Sequence, residues 1–315
     1  MKAVVWTRYG PPEVLVYQEV DTPEPKDDEM RIKVHAASIN SWDWEMMKRK
    51  GDGSRARPPH RILGCDIAGT VEMVGAGIKQ FKVGDAVFGD ISRDGWGGFA
   101  EYVCVREDRI ALKSLKLSFQ QAAAMPQAGV LALQGLRKGN IGPGMKVLIN
   151  GAGGGVGTFA IQMAKSYGAE VTGVDIAEKH GTMRSLGADH VIDRDKEDFI
   201  QNGQRYDLII DVWTTHSAFA YKKALAPKGQ CILIGGQHGK AMTSLFIGSW
   251  ALGSKKVRLL LLKANRKDLE DLNNLVESGI LRPIIDSVYP LERLPEAFRH
   301  YATGKANGKV VIEIK

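Results

Sequence analysis

Hydrophobic and polar positions follow two different rhythms along the chain. Up to about residue 115, short apolar or alternating runs at 1–7, 29–37, 65–74, 85–88 and 98–105 are separated by proline- and glycine-bearing turns, which predicts β-strands. From about 120 to 262, apolar runs at 147–150, 170–175, 190–193, 207–212, 231–235 and 257–262 alternate with helix-period segments at 178–186, 216–226 and 243–252. That alternation predicts βα repeats around a parallel sheet, and six such strands match a doubly wound dinucleotide-binding fold. Beyond 262 come a helix at 267–278, a strand at 284–289, a helix at 294–301 and a last strand at 309–314. The expected organisation is a β-rich domain at 1–120, a Rossmann domain inserted over 121–262, and a return to the first domain over 263–315.

The most informative stretch is Val147-Leu148-Ile149-Asn150-Gly151-Ala152-Gly153-Gly154-Gly155-Val156-Gly157. A strand runs into a glycine cluster, and Val156, Ala160, Met163, Ala164 and Tyr167 then share one apolar helical face. Glycines in that position let the backbone approach a pyrophosphate, which rests on the amides of the helix N-terminus. The next strand ends at Asp175, 18 residues past Gly157, close to the spacing at which a ribose-binding acid stands.

Length and composition change this picture little. At 315 residues two domains are expected, and 44% hydrophobic with 25% charged residues is ordinary for a globular enzyme. The net charge of +7 is spread along the chain, and its densest run, Lys48-Arg49-Lys50 with Arg55, Arg57 and Arg61 nearby, is short. It reads as a solvated loop, and no aromatic-interleaved basic stripe points to nucleic acid. Three scattered cysteines suit a reducing compartment. A strand pattern from Met1 leaves no room for a signal peptide, and no apolar run reaches the ~18 residues of a membrane span. The expectation is a cytoplasmic protein with no membrane partner.

Several motifs in order resemble one family. They are Ala37-Ser38-Ile39-Asn40-Ser41-Trp42-Asp43-Trp44, Gly64-Cys65-Asp66-Ile67-Ala68-Gly69-Thr70-Val71, Val74-Gly75-Ala76-Gly77 and Phe81-Lys82-Val83-Gly84-Asp85-Ala86-Val87-Phe88-Gly89. Gly98-Phe99-Ala100-Glu101-Tyr102, Ala122-Ala123-Ala124-Met125-Pro126-Gln127-Ala128-Gly129, the glycine loop, Leu186-Gly187-Ala188-Asp189 and Gly308-Lys309-Val310-Val311 continue the series. Nearly the whole chain thus resembles the medium-chain dehydrogenase/reductase superfamily, in its zinc-independent quinone oxidoreductase-like branch. The resemblance implies a GroES-like β-rich catalytic domain, a Rossmann domain inserted into it and a cleft between them.

Zinc-dependent relatives hold their catalytic metal with Cys, His and Cys, and by motif those places fall on Asn40, Cys65 and Gln127. One thiol and two neutral amides make a poor zinc set, so no metal is expected. Without a Lewis acid, ordinary alcohol oxidation loses its means of stabilising an alkoxide, whereas a quinone or α,β-unsaturated carbonyl accepts hydride readily. Asn40 is the candidate to hold a substrate oxygen or the cofactor carboxamide. Trp44, with Trp96, is a candidate wall for a flat substrate; plain packing is the alternative for both. Asp43 is expected to cap or pair locally.

By family position the amides of Gly154, Gly155 and Val156, between Gly153 and Gly157, face the pyrophosphate. Val212 and Gly235-Gly236, at strand ends, flank the nicotinamide, and Asn307 and Lys309 resemble a closing contact on that half. Asp175 favours NAD(H), while Lys179 and Arg194 near the ribose would admit NADP(H); NAD(H) is slightly preferred on the carboxylate. A small carbonyl or quinone substrate and a homodimer through the Rossmann sheet complete the expectation. Two alternatives stand beside it: a zinc-free alcohol/ketone oxidoreductase, and a non-catalytic structural or RNA-binding relative that still holds a nucleotide.

Overall fold

The computed structural model describes residues 1–48, 61–235 and 257–315. Gly236, the expected helix at 243–252 and the basic residues Arg49, Lys50, Arg55 and Arg57 lie outside the described residues. The chain forms two compact units: Met1–Ala128 with Ala264–Gly279 and Pro283–Lys315, and Gly129–Lys263 with Ile280–Arg282.

In chain order, the first unit opens with β1 (Lys2–Trp6), β2 (Leu15–Glu19), β3 (Glu29–Ser38), α1 (Ser41–Lys48), β4 (Asp66–Val74), β5 (Ala86–Asp90), β6 (Tyr102–Arg106), β7 (Ile110–Leu112) and α2 (Phe119–Ala123). Helix α3 (Pro126–Lys138) leads to the second unit: β8 (Lys146–Asn150), α4 (Gly155–Ser166), β9 (Glu170–Asp175), α5 (His180–Ser185), β10 (His190–Asp193), β11 (Tyr206–Asp211), α6 (Ala218–Ala224), β12 (Leu225–Leu233) and β13 (Val257–Leu259). The chain closes with α7 (Arg266–Glu277), β14 (Ile285–Pro290), α8 (Leu294–Ala302) and β15 (Lys309–Glu313).

The first unit is built on a seven-stranded sheet ordered β14-β15-β3-β4-β5-β7, with β6 also pairing β3. Strand β3 explains its own burial: Met30, Ile32, Val34 and Ala36 alternate inward, while Lys33 faces out. Its far end is different in kind. Val311 of β15 stands opposite Ser38, Ser38 opposite Asp66 of β4, and Asp66 opposite Asp90 of β5. Polar side chains at one end of neighbouring strands therefore converge in the sheet, each of the three polar residues 3% exposed or less. Gly69 lets β3 and β4 close: a Cβ there would lie 2.1 Å from the Lys33 carbonyl oxygen. A core around Trp6, Leu63, Phe99 and Phe298 holds the sheet.

The second unit is a parallel sheet ordered β10-β9-β8-β11-β12-β13. All six expected strands are present, although the last is Val257–Leu259 rather than 257–262, and β12 begins earlier than expected. The helix expected at 178–186 starts with a tight turn, Ala177–Lys179, before α5. That expected at 216–226 begins at Ala218, where the Ser217 side chain accepts from the Ala220 amide. Five features were not expected: β2, β7, α1, α2 and α3. Strand β2 carries outward Val16 and Tyr17, so it lacks a clean alternation. Helix α3 contains Gly129 and Gly135, which weaken its intrinsic signal. Gly135 is there for contact, since a Cβ would meet Ile234 Cδ1 at 2.9 Å. Among the described residues, no helix is long and apolar enough to cross a membrane.

Candidate active site

In the second unit the glycine run does what close packing requires. Gly151 turns with φ +83°, and a Cβ on Gly157 would lie 2.3 Å from the Gly151 carbonyl oxygen and 2.5 Å from Ala152 Cα. Helix α4 therefore sits tightly against the turn. Its N-cap is Gly154, with no side-chain capping hydrogen bond, so the first amides are left to an external acceptor. These features fit a dinucleotide pyrophosphate.

Asp175, at the end of β9, is only 1% exposed. Its Oδ2 accepts from the Gly153 amide at 3.0 Å, and its Oδ1 from the Ile176 amide at 2.9 Å. Lys179 Nζ stands 3.5 Å and an Arg194 guanidinium nitrogen 3.6 Å from Oδ1. Lys179, expected near the ribose, is buried across Gly153, whereas Arg194 is partly open and lies 5.2 Å over the Trp213 ring. The carboxylate is enclosed and its charge is matched by bases, which the sequence spacing did not reveal. A cavity at these strand ends is lined by Asn150, Val174, Arg194, Phe199, Trp213, Thr215 and His216, together with the acids Asp195, Glu197 and Asp198. At the neighbouring strand ends, Val212 donates its amide to the Asn150 carbonyl, and Gly235 lies so close that a Cβ would be 2.8 Å from the Val212 oxygen.

The first unit gathers a second group. Asn40, Cys65 and Gln127, distant in sequence, meet: Asn40 Nδ2 and Gln127 Nε2 each approach Cys65 Sγ at 3.5 Å. Lys309, expected at the cofactor, turns its Nζ inward to Asn40 Oδ1 at 2.5 Å, the Ile39 carbonyl at 3.0 Å and Asp66 Oδ2 at 3.5 Å. Asp66 Oδ1 accepts from the Gln127 amide at 3.1 Å, and Asp90 Oδ1 from the Ser92 amide at 2.9 Å. Asp43 is a local clip, as its sequence position suggests: it accepts from the Asn40 amide at 2.7 Å and the Gly64 amide at 2.9 Å. Burial pushes the Asp43 carboxyl up to about 7 and, against the pull of Lys309, Asp66 to about 6. Burial, with three carboxylates nearby, holds the Cys65 thiol well above its ordinary range.

Trp44 is half-buried, stacked on Phe298 with ring centroids 6.3 Å apart and Lys48 Nζ 4.2 Å above its ring. Trp96 is buried with φ +69°, between Gly95 and Gly97 that also have positive φ. Asn307 donates its amide to Asp286 at 2.8 Å and sits in the turn before β15, away from the edge because β15 runs between β14 and β3. Sequence reasoning missed Asp66 and Asp90. The only signal was an acid inside an otherwise apolar run.

Three family models match: an alcohol dehydrogenase GroES-like domain over 26–114, an alanine dehydrogenase/PNT C-terminal domain over 120–239, and a zinc-binding dehydrogenase over 186–312. The 2-methylene-furan-3-one reductase of Solanum lycopersicum is 35% identical over 99% of this chain and 79% of its own length. The chain belongs to the quinone oxidoreductase-like branch of the medium-chain dehydrogenase/reductase superfamily. An Arabidopsis thaliana chloroplastic NADPH-dependent alkenal/one oxidoreductase is 32% identical over 99% of this chain and 79% of its own length. The solved structure of a quinone oxidoreductase from Coxiella burnetii superposes with a TM-score of 0.90 at 31% identity, covering 100% of this chain and 99% of that one.

One of these family descriptions implies zinc, and the residues can be tested for it. Cys65 Sγ and carboxylate oxygens of Asp66 and Asp90 do lie within 4.8 Å of one another. The donor set fits zinc poorly nonetheless. Its thiol resists ionisation, its amides are neutral, and an ammonium already stands against Asp66.

Proposed function

We propose that the protein reduces a quinone or an α,β-unsaturated carbonyl with NADPH, and does so without zinc. The observation that carries this reading is the Asn40–Cys65–Gln127 group, which offers amide donors and no charged soft ligand. Such a group favours acceptors that need only a hydrogen bond as negative charge reaches their oxygen, rather than alcohols that need a Lewis acid. Reduced nicotinamide supplies the hydride when bound. The chain's residues orient it: the amides of Gly155, Val156 and Gly157 in the first turn of α4 receive the pyrophosphate, and Val212 and Gly235 flank the ring end. Asn40 Nδ2 donates to the acceptor oxygen, Trp44 limits the space, and solvent returns the proton.

NADP(H) is favoured over NAD(H), although the sequence alone leans the other way. Asp175 is enclosed and its oxygens accept from the Gly153 and Ile176 amides, so the partly open Arg194 is the group that would meet a 2′-phosphate, in a cavity that Asp195, Glu197 and Asp198 also line. The name of the NADPH-dependent relative agrees with this. A homodimer through the edge of the parallel sheet is supported by the exposed leucines there, Leu259 at the end of β13 (36% exposed) and Leu261 just beyond it (71%). Three free thiols fit a reducing compartment, which we take to be the cytoplasm.

The test is an absorbance assay of NADPH and NADH oxidation with quinones, enones and enals, run in chelator. Turnover of an enone or quinone, with kcat/KM roughly tenfold higher for NADPH, is expected. Loss of turnover in chelator overturns the zinc-free reading, and turnover of secondary alcohols alone overturns the acceptor class.

A further inference from the structure

We infer that Lys309 is a positioning residue that fills, with an ammonium, the place where a zinc-binding dehydrogenase keeps its metal. This inference rests on the reading of Asn40 as the donor to the acceptor oxygen, and assigns the group that aims it. Lys309 opens β15, an interior strand pinned beside the Asn40 segment by the Ile39 amide, which donates to the Val310 carbonyl at 3.0 Å. Its side chain is 4% exposed, so its three N–H donors must find partners inside the protein. They do. Ile39 O, Asn40 Oδ1 and Asp66 Oδ2 accept all three, which leaves no donor for substrate or cofactor.

That saturation determines what Lys309 can do. A carboxamide has two faces of nearly equal shape, and only the charge around it chooses between them. With an ammonium 2.5 Å from Oδ1, the flipped state would set NH₂ against NH₃⁺. Asn40 is therefore locked with Nδ2 toward Cys65 Sγ and the Asp66 carboxylate, and the donor points one way before any ligand arrives. Lys309 also supplies the positive charge that buried Asp66 requires, with Asp43 and Asp90 close behind. A divalent ion among Cys65, Asp66 and Asp90 would have to displace that ammonium. The same side chain thus orients the amide and excludes the metal.

The experiment is a double-mutant cycle on the full-length protein, with kcat for an enone and the NADPH Kd measured separately. Asn40→Ala is expected to lower kcat roughly ten- to a hundredfold, as loss of a hydrogen bond to developing charge does. Lys309→Met should lower it by a similar factor while the NADPH Kd stays within about threefold, and the double variant should fall no further than either single one. Additive losses, or an NADPH Kd that weakens in step with kcat, would overturn the inference. Full activity in Asn40→Ala would instead sink the reading of Asn40 on which it rests. A second measurement needs no variant. The wild-type protein titrated with Co²⁺ should show no thiolate-to-cobalt absorption band, and a stoichiometric band would show that Lys309 does not exclude a metal.

Discussion

Each unit of this protein buries an aspartate beside a lysine, and in both the closest Nζ–carboxylate oxygen distance is 3.5 Å. The surroundings make them different devices. Asp175 and Lys179 stand next to Arg194, whose side chain is 26% exposed and stacks on a Trp213 that is itself half open. Charge there continues to the surface, where a ligand can exchange with it. Asp66 and Lys309 are enclosed by Asp43, Cys65 and Asp90, all 3% exposed or less. Water cannot help that pair, so its geometry rests on hydrogen bonds to Ile39, Asn40 and Gln127. One pairing chemistry therefore serves as a recognition rim when it leads outward and as an internal frame when it is sealed.

The sharpest way to break the rim is at its backbone. Gly157→Ala sets a methyl 2.3 Å from the Gly151 oxygen and 2.5 Å from Ala152 Cα, and neither atom belongs to a side chain that can move. Nucleotide affinity is expected to fall by more than ~100-fold, because the α4 amides leave the position that receives a pyrophosphate. Fluorescence titration checks this; wild-type affinity would mean that the turn tolerates a shift the packing forbids.

Asp175→Ser sharpens the comparison by removing only the acid. If the carboxylate serves to anchor Lys179 and Arg194, part of their charge is released, and NADPH should bind roughly tenfold more tightly with NADH affinity little changed. Collapse of NADH affinity with NADPH unchanged would show that Asp175 itself holds the ribose diol. The smallest effect is expected from Trp213→Ala. A cation–π contact at a partly exposed site contributes about 0.5–1 kcal/mol, so NADPH should bind two- to fivefold more weakly and NADH hardly less. Equal losses for the two nucleotides would assign Trp213 to the adenine or nicotinamide rather than to Arg194.

Much of the second unit was legible in the chain itself because its signals are local. Strand, glycine turn, helix and second strand lie within residues 147–175, and hydrophobic period with glycine spacing is enough to order them. Lys179 and Arg194 were also found near Asp175, the first only four residues on and the second at the end of the adjoining strand. What periodicity did not contain is that Asp175 is enclosed, since burial depends on how Gly153 and Lys179 pack over it. In the first unit the motifs located Asn40, Cys65 and Gln127, but nothing local joined them to Lys309, which is 269 residues from Asn40 in sequence. Only the placement of β15 between β14 and β3 brings that ammonium to the carboxamide. Lys309 reads as a cofactor contact until tertiary packing supplies three buried acceptors, because the cost of burying an ammonium is decided by its partners and not by its place in the sequence.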